Sequence, residues 1–246
     1  MKILKNALLI VGLITVCGVS INAVQQEDGG AGSTREDKAT SNMTSGKSVA
    51  DSYRIEALPM PEDLDFAGEG VPLEDPDVYE RMDRELLVNT YWQSNALLLM
   101  KRANKYFPLI EKVLKEEGVP EDFKYLAVIE SGLTQAVSPA RAIGFWQIME
   151  GTGKDYGLEI NDNVDERYHI EKSTRVASDY LKKAKERFGS WTLAAASYNA
   201  GQYGIDKQLE RQKVSDYYDL LLGEETGRYV FRILALKEIM NHPEKY

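Results

Sequence analysis

Cysteine occurs once in 246 residues, at position 17, and histidine twice, at 169 and 242. A single thiol excludes an intramolecular disulfide and any multi-cysteine zinc or iron–sulfur site. Two histidines far apart in the chain give little material for a histidine-based metal centre, and no spaced acidic loop of the calcium-binding kind occurs. No metal and no cofactor are therefore expected. Basic residues are in deficit, 30 Lys and Arg against 39 Asp and Glu, a formal charge of −9. With no positive surplus to neutralise phosphates, the chain is not a general nucleic-acid binder. Long hydrophobic runs are also missing: the longest, Ala7–Val19, is too short to span a bilayer comfortably. What remains is ordinary for a soluble globular protein, 43% hydrophobic and 28% charged. The length allows one large domain or two small ones.

Residues 1–23 read as a secretory signal, with Lys2 and Lys5 ahead of the apolar stretch and small residues Gly18 and Ser20 at one cleavage site. Cys17 follows Ile14-Thr15-Val16, an approximate lipoprotein box in which Val16 stands where a small residue is wanted. Its acylation would give a membrane tether; otherwise it is discarded with the signal. Either way the protein is expected in the periplasm or cell envelope. Residues 24–75 carry 12 acidic and 4 basic residues and only Tyr53 and Phe66 as aromatics. That composition buries too little surface to offset its ordering entropy and predicts a disordered acidic linker. Within it, the part from Tyr53 to Leu73, with Pro59, Pro61 and Pro72, is expected to lie against the domain in extended form.

From 76 to 246 the periodicity is helical. Leu86, Leu87, Thr90 and Tyr91 start an apolar stripe that runs through Leu97, Leu98 and Met100. Pro108 suits the first turn of a helix ending near Glu117 and Gly118, and Pro120 opens the next. Further helices are expected at 173–188, 191–200 and 224–240, closed by Gly189, Gly201 and Pro243. No alternating strand pattern competes, so the class is all-α. Asp165-Glu166 reads as a helix start, and Trp191 as a core aromatic.

Glu130 ends the run Tyr125-Leu126-Ala127-Val128-Ile129 and lies three, four and seven residues from Ala127, Leu126 and Phe123. On that face a carboxylate is drawn toward the core, and desolvation raises its pKa toward that of a general acid. Position alone leaves open a helix-end glutamate turned to solvent. Downstream stand Glu130-Ser131-Gly132-Leu133, Gly144-Phe145-Trp146-Gln147-Ile148-Met149, Ala195-Ala196-Ser197-Tyr198-Asn199-Ala200-Gly201 and Glu225-Thr226-Gly227-Arg228-Tyr229-Val230. This ordered set resembles the catalytic domain of lytic transglycosylases related to goose-type lysozymes, with the membrane-bound D-type branch nearest.

The resemblance implies a lysozyme-like helical fold with a cleft for peptidoglycan glycan strands, working as a monomer. It implies that Glu130 is the single acid/base, that Ser131 supports it, and that Ser138 lies near the muramic acetamide. It likewise implies that Gln147 lines the cleft, that Tyr198 and Asn199 flank the scissile bond, and that Tyr229 donates a hydroxyl close to the glutamate. Trp146, Tyr198 and Tyr229 are candidates for stacking on sugar rings, although Trp146 is as readily a core residue. No sugar-binding repeat is expected after the domain, so glycan affinity is expected from the cleft alone. The expected reaction breaks the β-1,4 bond between N-acetylmuramic acid and N-acetylglucosamine and forms 1,6-anhydromuramic acid. A goose-type hydrolase and an inactive glycan-binding module are the alternatives. The chain departs from the family pattern at Arg141, usually glycine, at Phe145, usually leucine, and at Ser197, commonly alanine. Arg141 either alters its loop, contacts peptide carboxylates of the substrate, or is a plain surface residue.

Overall fold

The computed structural model describes residues 56–91 and 93–246. The expected signal, Cys17 and the first part of the expected linker lie outside the described residues. From Ala57 to Tyr246 the chain forms a single compact unit. Its helices are α1 (Pro76–Thr90), α2 (Gln93–Glu116), α3 (Lys124–Ser131), α4 (Glu150–Asp155), α5 (Ile170–Phe188), α6 (Trp191–Ala200), α7 (Gln202–Gln212) and α8 (Glu224–Asn241). The all-α expectation holds, and the architecture is that of a lysozyme-like helical domain. Among the described residues the only paired strands are β1 (Asp65–Phe66) and β2 (Glu69–Gly70).

The buried side of α8 forms the spine, with Val230, Phe231, Ile233, Leu234 and Ala235 inaccessible to solvent. α1 and α3 pack on it, and α6 joins it from the other side with α5 behind. α1 starts on Asp75, whose carboxylate accepts the Asp77 and Val78 amides, with Pro76 in the first turn. Val78, Met82 and Leu86 recur every four residues and bury one stripe. Two arginines fasten α1 to the start of α8. Arg81 donates to the Gly227 carbonyl at 2.9 Å and stacks over Phe231, and Arg228 grips the buried Glu85 carboxylate at 2.5 and 3.2 Å.

Three sequence expectations are revised. The stripe from Leu86 to Met100 is broken between α1 and α2. Pro108 lies inside α2 rather than at a helix start. An interior proline costs about 3 kcal/mol, but Leu99, Ala103, Ile110, Val113 and Leu114 form one buried face on both sides of it. Packing along that face overrides the local preference.

The third revision moves the linker boundary: residues 57–73, expected to lie against the domain, and residues 74–75 belong to its compact unit. Phe66 is fully buried, edge-on to Phe123 at 5.1 Å, and Phe123 in turn meets Trp191 at 5.3 Å. Ala67 and Gly68 turn the hairpin at positive φ, as a two-residue hairpin connection requires. Lys237 clamps it from α8, donating to the Asp65 carbonyl and to Asp122. Composition misjudged this segment because most of its acidic residues face outward while a few apolar ones carry the packing. The Glu69 carboxylate meets the start of α6, accepting from the Trp191 and Thr192 amides at 2.6 and 2.9 Å and from Ser190, Thr192 and Lys185 side chains.

Candidate active site

Glu130 occupies the last turn of α3, which Gly132 stops in the left-handed conformation at φ 60°. The face that buries Phe123, Leu126 and Ala127 carries Glu130 to the same side, as its spacing predicts. Glu130 as a whole is partly exposed, while protein surrounds its carboxyl group closely. Burial pushes its pKa up to about 7, against the opposing effects of the Tyr229 hydroxyl and Arg232; nearby Glu225 adds a further upward push. The C-terminal end of a helix also gives a carboxylate no favourable potential. Solvent-facing glutamate, the alternative left open by position, is thus excluded.

Tyr229, in the second turn of α8, donates its hydroxyl to Glu130 Oε1. That bond occupies one carboxyl oxygen, so the proton of the neutral acid belongs on Oε2. Tyr198 and Asn199 come from the last turn of α6, just before Gly201. Tyr198 donates to the Trp146 carbonyl at 2.8 Å and packs edge-on against Tyr180 at 5.3 Å. Burial, and then the Glu130 carboxylate, hold the Tyr198 hydroxyl well above the usual tyrosine range. Asn199 is held by α8: Thr226 donates to its carbonyl at 2.7 Å and its amide donates to Glu225 at 3.2 Å. Glu130 and Tyr229 thus share one hydrogen bond, Tyr198 and Asn199 are held by separate ones, and charge interactions couple Glu130 to Tyr198 and Glu225.

Ser131, at the end of α3, and Ser138 and Gln147, in the adjoining loop 132–149, shape that loop. The Ser131 hydroxyl donates to the Phe145 carbonyl at 2.9 Å and does not hold Glu130, which is the task of Tyr229. The Ser138 hydroxyl accepts the Ala142 amide at 2.9 Å. The Gln147 side-chain amide donates to the Gly144 and Ala136 carbonyls at 2.9 and 3.1 Å. Trp146 is fully buried with its indole N–H on Thr174, so it cannot stack on a sugar; it is core. Tyr229 is nearly as buried, which leaves half-buried Tyr198 as the accessible ring of the three.

The loop turns sharply, with Leu133, Arg141, Gln147 and Gly144 all at positive φ. A Cβ on Gly144 would stand 2.4 Å from the Arg167 carbonyl oxygen, so no side chain fits there. Arg141 at φ 65° explains why glycine is usual at this position: the backbone is left-handed, and the arginine bears the steric cost.

Arg167, overlooked in the sequence, pins this turn. It is buried, paired bidentately with Asp165, and donates to the Arg141 and Ile148 carbonyls at 3.1 and 3.3 Å. Only its place beside Asp165, which caps a short 3-10 helix as expected, hinted at a role. Glu225, Thr226 and Arg232 were also missed as site residues. Two of them sit inside the Glu225–Val230 motif, but only the fold turns them toward Glu130 and Asn199. Among the described residues no group of His, Cys, Asp and Glu side chains is placed to hold a metal ion.

Residues 107–221, which contain Glu130, Gln147, Tyr198 and Asn199, match the family model of the transglycosylase SLT domain. Over 183 residues, 72% of this chain, the sequence is 32% identical to "Membrane-bound lytic murein transglycosylase D" of Escherichia coli strain K12. It matches the protein of the same name from Escherichia coli O6:H1 strain CFT073 to the same extent. The match spans 39% of the length of each of these relatives. With the ordered motifs, the buried glutamate and this similarity in agreement, the chain carries a domain of the SLT transglycosylase family, similar to that of the D-branch proteins.

Proposed function

We propose that this chain is a peptidoglycan lytic transglycosylase, acting on the β-1,4 bond between N-acetylmuramic acid and N-acetylglucosamine. The observation that carries the reading is Glu130, an acid with its pKa at about 7 beside the hydroxyl of Tyr229. Such a group is protonated often enough to act as acid and is basic enough to take a proton back. Glu130 donates its proton to the glycosidic oxygen as the bond from that oxygen to the muramic C1 breaks. The muramic 2-acetamido oxygen, tethered beside C1, supports the developing cation. The Glu130 carboxylate then removes the proton of the sugar's own 6-hydroxyl. The new O6–C1 bond closes the 1,6-anhydro ring, and no water is consumed.

Tyr198, Asn199 and Ser138 are the candidates for holding the acetamide and the ring. Ser138 suits this because its oxygen accepts from Ala142 and its own proton remains to be donated. Gln147 and Ser131 serve by holding the loop wall in shape. The relatives are membrane-bound by name; for this chain we place the work in the cell envelope, reached through the N-terminal signal, with Cys17 as the tether if acylated. Among the described residues no helix is long and apolar enough to cross a membrane.

Purified sacculi digested with the protein test the reading through the masses of the released muropeptides. Anhydro products, one water lighter than hydrolytic ones, are expected. Reducing-end muramic acid would identify a goose-type hydrolase, and binding without release a glycan-binding module. Glu130→Gln should lose roughly a hundred- to ten-thousand-fold in rate while keeping its helical circular dichroism.

A further inference from the structure

Next to the Asn199–Thr226 bond, α7 and residues 221–223 border a crevice of about 230 Å³. Ala200, Gly204 and Ile205 line it together with Leu221 and Leu222, and Arg211 and Thr226 complete the lining. Thr226 is the residue whose hydroxyl holds Asn199, so the crevice adjoins one of the candidate site residues. Leu221 is held by Gln212, whose side chain accepts the Leu221 amide and donates to the Leu221 carbonyl, both at 2.9 Å. That two-point clamp keeps Leu221 raised and 82% exposed. Gly204 leaves the space open: an added Cβ would meet only the Ala200 methyl, at an ordinary 3.8 Å.

We infer that this crevice receives the stem peptide of the muramic residue bound in the cleft, and so makes the enzyme favour peptide-bearing strands. The inference rests on the proposed transglycosylase reading. Three observations point to a peptide rather than a further sugar. The volume is below the roughly 300 Å³ of a complete small-ligand site, which suits a branch of a polymer anchored elsewhere. No aromatic ring lines it, whereas sugar rings are held on aromatic faces. Its walls are aliphatic and its one charged lining group, Arg211, forms no ion pair among the described residues. Alanine methyl groups and free carboxylates, the chemistry of a stem peptide, complement that combination.

The test compares kcat/KM on sacculus-derived glycan strands with peptides intact and on the same strands stripped of peptide by an amidase. The wild-type protein is expected to favour intact strands by about tenfold, the equivalent of about 1.4 kcal/mol. In Gly204→Leu, which fills the crevice from a helical position, and in Arg211→Glu, which reverses the charge at an exposed site, that ratio should fall toward one. A wild-type ratio of one, or a ratio unchanged in both variants, overturns the inference while leaving the transglycosylase reading intact. Failure of the wild-type protein to cleave either strand would overturn the reading itself.

Discussion

Glu130 is set by three neighbours whose effects oppose one another. Burial and the Glu225 carboxylate push its pKa up, while the Tyr229 hydroxyl and Arg232 push it down. Because the proposed reaction starts from the protonated acid, activity should decline as pH rises through about 7. Removing a neighbour should move that limb in a direction fixed by its sign. Glu225→Gln removes a like charge and should shift the limb to lower pH. Tyr229→Phe removes a bond that favours the charged form and should shift it to higher pH, with a lower maximum because the carboxyl is no longer held. Profiles of kcat/KM against pH for the two variants check both directions, and shifts of the same sign would contradict this electrostatic account. The rise in pKa was legible from the apolar run ahead of Glu130. The resemblance also placed Tyr229 beside it, but the opposing effects of Arg232 and Glu225 were not legible, since those residues are about a hundred positions away in sequence.

At the scale of elements, each catalytic candidate is delivered by a helix end that something else holds. α6 carries Tyr198 and Asn199 at one end, and at the other its free amides receive Glu69 from the hairpin. Burial alone would raise the Glu69 pKa, but the Thr192 and Trp191 amides, Lys185 and Ser190 outweigh it and bring it to about 2. A folded-state pKa below the unfolded value contributes stability above the unfolded pKa, which is lost as pH falls toward the folded one. Glu69 should therefore stabilise the fold at neutral pH, with the contribution disappearing between about pH 4.5 and 2. Glu69→Gln should cost roughly 2–3 kcal/mol at pH 7. Urea unfolding at pH 7 and pH 3 measures it, and the difference from wild type should shrink at the lower pH. Helix α6 was readable to the residue, with Gly201 as its stop, and the structure adds Ser190 as its cap. Its clasp by Glu69 was hidden in a segment whose composition reads as linker.

For the whole molecule, the folded unit starts near 57 rather than at 76. A chain shortened to begin at 57 should keep the melting behaviour of the full-length protein. One beginning at 76 loses Leu64, Phe66, Val71 and Glu69 and should be markedly less stable, because a buried phenylalanine alone is worth about 3–5 kcal/mol when truncated. Thermal melts of the two shortened chains decide this, and equal melting temperatures would return residues 57–75 to the linker. By itself the sequence determined the helical class, the extents of α6 and α8, the candidate carboxylate and the family likeness, because periodicity and ordered motifs are local signals, whereas α4 and α7 were not read. Only the tertiary structure decided that Pro108 lies within a helix, that Trp146 is core, that Ser131 and Arg167 hold the loop, and that Glu225 and Thr226 reach Asn199. Those outcomes depend on contacts between residues distant in the chain, where burial and hydrogen bonding outweigh local preference.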